Sequence, residues 1–144
     1  MARVHIKLPN EFIDALQAAS TLLDSAAGEV LQAGASVVEP KLRGNLAVVI
    51  GKGSTPSRST GQLLGALGTT SVKVNSQGTY NVKVGFAENR GDGKSNALIA
   101  NVIEYGKSNQ PARPFLAPTR SQARRPATEA MKKVLAARIQ QVAP

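Results

Sequence analysis

Few side chains in this sequence are of the kinds that do chemistry, and their spacing decides what each can do. His5 is the only histidine. It falls on the polar side of the alternating stretch "ARVHIKL" with no second ligand or acid partner close by, so it reads as a solvated strand residue and not as part of a triad or metal cluster. "GKGST" at 51–55 resembles a phosphate-cradling glycine loop. The required G-x-x-x-x-G-K-[ST] is not met, because six residues separate Gly44 from Gly51 and Gly53 follows Lys52. "NRGDGKSN" at 89–96 fails as a calcium loop: beyond Glu88 its only carboxylate is Asp92, and the closing glutamate is missing. Glu104 is the one acid in the apolar stretch 97–105, and it reads as a cap or as the partner of a basic neighbour in preference to a general base.

The richest cluster is basic. Arg120, Arg124, Arg125, Lys132, Lys133 and Arg138 crowd the C-terminal segment. They form either a solvated helix face or a surface that meets nucleic-acid phosphates without reading bases, since no aromatic residues interleave with them for stacking. The net charge of +9 is unevenly placed. Residues 1–40 carry −3, residues 41–106 carry +5 and residues 107–144 carry +7. Such a chain can dock head to tail on copies of itself, or turn its basic end to an acidic polymer. With no cysteine, disulfides, thiolate metal sites and thiol nucleophiles are excluded, and no cofactor is expected. The opening "MARVHIKLPNEF" has no signal-peptide core and "LAVVI" at 46–50 is too short to span a bilayer, so cytoplasmic synthesis and no membrane partner are expected.

The elements that must position these residues follow from periodicity. A short strand is expected over 3–8, then an N-cap at Asn10 and a long amphipathic helix over 11–39, with Phe12, Leu16, Ala19, Leu23, Ala26 and Val30 on one stripe. Pro40 marks its expected end, a kinked continuation through "PKLRGNLAVVI" being the alternative. A glycine- and serine-rich loop leads to a helical turn near Gln62–Leu67, and "TSVKVNSQGTYNVKVGF" signals a hairpin around "NSQG". A helix over 97–105 stops at Gly106, and a last helix covers about 118–141, with Pro126 at its first turn or at a kink. The expectation is one α+β domain over 1–144, a long N-terminal helix and a C-terminal helix packed on a small antiparallel sheet with a central hairpin, and mobile loops near 51–60 and 88–95.

The stretch "YGKSNQPARPFLAPT" at 105–119 stands out. Three prolines within eight residues forbid regular structure, so Phe115 and Leu116 are anchors carried on an irregular arm.

Together, "PSRSTGQLLGAL", the valine-rich hairpin, "ALIANVIEYG" and "ARPFLAPT" before a last helix resemble the neck proteins of long-tailed bacteriophages. These are the tail-completion or head–tail joining proteins, the gene-product-ten family of lambdoid phages. The likeness runs from about Asn10 to the end and is sharpest at "EYG" followed by "PARPFL"; the glycine- and serine-rich insertion between Val37 and Thr60 departs from the pattern. It implies a non-enzymatic virion protein, a homo-oligomeric ring of about six copies, or twelve, between head and tail tube. Its partners would be other neck and tail proteins and the double-stranded DNA in the lumen. Under that resemblance Tyr105, Arg113, Phe115 and Leu116 are candidate partner contacts, the arm pinning the last helix to the sheet or reaching a neighbouring subunit. Arg120, Arg124, Arg125, Lys132, Lys133 and Arg138 are candidates for the channel lining or a subunit interface. The alternative is a free basic protein that binds nucleic acid non-specifically.

Overall fold

The apolar repeat that begins at Phe12 does not stop at Pro40. In the computed structural model, which describes residues 9–50, 61–88 and 91–141, helix α1 spans Asn10–Val49 with Pro40 inside it. A proline in a helix interior costs about 3 kcal/mol. Leu42 and Leu46, on the far side of it, are fully buried in the core, and burying a leucine side chain contributes ~1.5–3 kcal/mol. Two such side chains offset the proline, so the expected boundary at residue 39 is corrected to Val49. Asn10 is likewise no cap: Pro9 holds the N-cap position and no side chain bonds to the first turn.

After α1 come α2 (Gln62–Gly65), β1 (Leu67–Thr69), β2 (Lys73–Val74), β3 (Tyr80–Asn81), β4 (Val84–Phe86), α3 (Asn96–Tyr105) and α4 (Leu116–Gln140). The chain is α+β. The four strands are one long hairpin with a fault in it. β1 pairs antiparallel with β4 in the register Leu67↔Phe86 and Thr69↔Val84. Beyond the Thr70 N–H to Lys83 carbonyl bond, the partners become Lys73↔Asn81 and Val74↔Tyr80. Ser71 and Val72 therefore face Val82 alone, which is the geometry of a β-bulge. "NSQG" makes the turn: Asn75 Oδ1 accepts the N–H groups of Gln77 and Thr79, and Gly78 takes φ 76°.

α4 runs antiparallel to α1, with Asn45 beside Thr119 and Gln122 at one end and Glu29 beside Arg138 at the other. Between them Gly34 lets the helices close up, since a Cβ there would lie 2.8 Å from the Met131 sulfur. Pro126 sits inside α4, so that helix begins ahead of it, at Leu116. The core lies where the C-terminal half of α1 meets α2, β1, α3 and the start of α4: Leu42, Leu46, Leu63, Leu67, Ala100, Ile103 and Phe115. The strand expected over 3–8 with His5, and the loop over 51–60, lie outside the described residues.

Candidate functional site

Glycine and glutamate build the segment 103–119 from its middle outwards. α3 ends at Gly106, which adopts φ 77° and turns the chain back so tightly that a Cβ would meet Gln110 O and Ala112 N at 2.7 Å. Only glycine fits that backbone. A two-residue turn follows, closed by paired bonds between Lys107 and Gln110 at 2.9 Å. The returning chain is tied to α3 by Arg113 N–H on the Ile103 carbonyl at 2.8 Å.

The turn delivers α4 to a carboxylate. Glu104 Oε2 accepts the N–H groups of Phe115 and Leu116, each at 2.7 Å, and Oε1 accepts that of Ala117 at 3.1 Å. These are donors that a helix N-terminus cannot satisfy internally. Burial opposes the charge on this carboxyl, yet the three backbone donors, with Arg120 nearby, hold it below the usual carboxylate range. Glu104 is thus a cap, the role its sequence position suggested, and its proton chemistry is spent on holding two helices together.

Phe115 is 0% exposed, the largest fully buried side chain among the described residues, and meets Phe86 edge to face with ring centroids 6.2 Å apart. Of the two roles open to the arm, it takes the internal one and pins α4 to the β1–β4 pair, so Phe115 has no surface to offer a partner. Leu116 is half-buried against the same core. Arg113 donates from Nη1 to the Val49 carbonyl at 2.8 Å, closing the C-terminal turn of α1, so this candidate partner contact is committed inside the chain. Tyr105 alone of the four stands out in solvent, at 69% exposure.

The basic residues behave differently. Arg138 is drawn into a two-bond ion pair with Glu29, its Nε on Oε2 at 2.8 Å and its Nη2 on Oε1; the pairing lowers the carboxyl's pKa and raises the guanidinium's. Arg120, Arg124, Arg125, Lys132 and Lys133 are exposed. At about 100° per residue they spread over roughly 220° of the helix circumference, so they form a broad field and not one stripe. Arg125 and Lys132, two turns apart, are the best aligned pair. A shallow depression beside them is lined by Glu129, Ala130, Lys132 and Lys133.

Two polar clusters escaped sequence reasoning. Glu88 accepts the N–H groups of Asn96 and Ala97 at 2.9 and 3.0 Å and so caps α3, together with the Ser95 hydroxyl on Leu98 N–H. Arg43 donates to the carbonyls of Leu64 and Leu67 and to Glu39, whose other oxygen accepts a hydrogen bond from the Thr69 hydroxyl at 2.6 Å. The Thr69 bond, then the Arg43 bond, lower the Glu39 pKa. The i,i+4 spacing of Glu39 and Arg43 was a legible signal; the carbonyl partners were not.

The first half of α1 is the remaining feature. The hairpin lies along α1 as far as Gly28, where Val72 packs, and α4 reaches about as far, at Glu29. Residues 10–25, about 24 Å of helix, extend past both. Phe12, Ile13, Leu16 and Leu23 are exposed on it.

Among the described residues no group of three or more His, Cys, Asp or Glu could hold a metal, and no helix is long and apolar enough to cross a membrane. No family model, curated protein or solved structure matches this chain.

Proposed function

We propose that this chain is a structural, non-enzymatic component of a phage neck, a homo-oligomeric ring that joins head to tail and surrounds the DNA channel. The observation that supports it best is a pair of unlike surfaces on one body. The projecting half of α1 carries an apolar stripe with Glu11, Asp14 and Asp24 and no base, while residues 94–140 carry nine bases against two acids. Closing a ring requires that one face of each subunit meet a different face of the next. The likeness of "IEYG" and "PARPFL" to phage neck proteins supplies the class. The exposed field of Arg120, Arg124, Arg125, Lys132 and Lys133 suits a lumen through which DNA slides, because diffuse charge attracts phosphates without gripping them. The ring would sit among other neck and tail proteins in the virion.

Removing the gene from its phage tests this. Filled heads and finished tails should accumulate unjoined and should join when the purified chain is added. Complete infectious particles formed without the chain would overturn the proposal. Tight binding of the monomer to duplex DNA at physiological salt would favour a free nucleic-acid-binding protein instead.

A further inference from the structure

Two exposed apolar stripes in this molecule have no partner among the described residues. One is on the projecting half of α1, where Phe12, Leu16 and Leu23 recur at helical spacing, Leu16 and Leu23 each 51% exposed. The other is on the outward side of α3, where Leu98, Val102 and Tyr105 fall four and three residues apart, opposite the buried side formed by Asn96, Ala100, Ile103 and Glu104. Leu98 is 53% exposed and Tyr105 69%, with Val102 half-buried between them. Their surroundings differ in balance: Glu11, Asp14 and Asp24 with no base flank the first, while around the second the exposed Lys94 and Lys107 at its ends and Arg120 near Glu104 outnumber the exposed acids Glu88 and Asp92 at its N-terminal end.

We infer that residues 10–25 of α1 dock across the Leu98–Val102–Tyr105 face of α3 in a second copy of this chain. An association surface needs an apolar centre and a polar rim of opposite sign, and these two stripes supply both halves. Other occupants fit less well. A second α1 would set three carboxylates against three with no base between 10 and 25 to compensate. The outward face of α4 has the right charge, yet its only large exposed apolar side chain among the described residues is Ile139, near the end. An anionic lipid surface repels an acidic helix. Because donor and acceptor are different faces, a subunit that has used one still offers the other, and the contact propagates until it closes into a ring or runs on as a filament. The inference rests on the proposed ring and names its interface.

The natural chain contains no cysteine, so single thiols can be placed at will. Leu16→Cys and Tyr105→Cys both alter exposed side chains, and Ala136→Cys, exposed on α4, is the control. With a short bis-maleimide, the double variant Leu16→Cys/Tyr105→Cys should give a ladder of covalent oligomers. An equal mixture of the two single variants should give dimers and nothing larger, at least tenfold above either single variant alone or a mixture with the control. Self-linking of Leu16→Cys as strong as the mixed product, or no product above the control, would overturn the interface. Leu16→Arg separates this from the ring itself. If that variant still assembles to the wild-type mass, the interface is wrong and the ring stands. If the wild type assembles neither alone nor in the neck, both fall.

Discussion

Glu104 Oε2 lies 2.7 Å from the backbone nitrogen of Phe115, eleven residues later in the chain, and that bond places the start of α4 on the end of α3. Leu116 and Ala117 share the carboxylate. A buried N–H left without an acceptor costs ~1–3 kcal/mol, so Glu104→Ala should lower the unfolding free energy by about 3 kcal/mol, and Glu104→Gln, which keeps one oxygen, by about half of that. Denaturant titration measures both.

The same carboxylate gives stability a pH dependence. Its folded pKa is lowered from the ordinary value of 4.5, so its contribution is complete above that pH and is lost as pH falls through the lower folded value. Glu29 and Glu39 are shifted in the same direction, so the wild type alone does not isolate Glu104. The stability difference between wild type and Glu104→Gln should be constant near neutrality and shrink steadily below pH 4.5. A difference that stays flat to pH 2 would contradict the cap.

Gly106 and Gly78 share nearly the same φ, 77° and 76°, but not the same surroundings. Gly78 has open space where a Cβ would go; Gly106 has backbone at 2.7 Å. Gly78→Ala should therefore cost only the left-handed strain, about 1 kcal/mol, while Gly106→Ala should cost about 3 kcal/mol or more and displace the 107–113 segment. Thermal unfolding of the pair checks the contrast.

What was legible in the sequence was local. "NSQG" announced its turn and Gly106 its helix end; apolar spacing announced α3 and α4 as helices but not their buried faces, which are Asn96, Ala100, Ile103 and Glu104 in α3 and the small residues Thr119, Ala123 and Ala127 in α4. The Pro40 boundary failed because a local rule met a tertiary one: the burial of Leu42 and Leu46 decides that turn, and nothing within "VVEPKL" shows what covers them. Glu104 could be read as a cap from its lone charge in an apolar helix, but its donors could not be read. Arg113 is the sharper case. Its partner, the Val49 carbonyl, is 64 residues away and carries no sequence signature at all, since every residue has a carbonyl. Phe115 was recognisable as an anchor, and only the packing shows that it anchors inward, on Phe86.

Phe115 and Tyr105, ten positions apart, should separate folding from assembly. Phe115→Ala empties a fully buried site and should cost ~3–5 kcal/mol. Tyr105→Ala removes an exposed ring and should change the stability of the isolated chain by less than about 0.5 kcal/mol while reducing self-association at least tenfold. Equal destabilisation by both would mean that Tyr105 is part of the core.

The exposed bases on α4 bear on DNA. Spread around the helix as they are, they can bring only about three cations to one duplex, so the monomer should bind weakly, without sequence preference, and with a log–log salt slope no steeper than about −3, at −0.9 per phosphate neutralised. Fluorescence anisotropy across a salt series measures it. A slope near −8 with tight monomer binding would support the free nucleic-acid-binding reading.

Native mass spectrometry of the purified chain over rising concentration, alone and with the adjoining neck proteins, addresses the ring itself. Association through two unlike faces predicts growth one subunit at a time through odd and even species to a single closed oligomer, about six copies or twelve, that resists further addition. A strict dimer under both conditions would mean a twofold, self-complementary contact, and the ring would have to be abandoned.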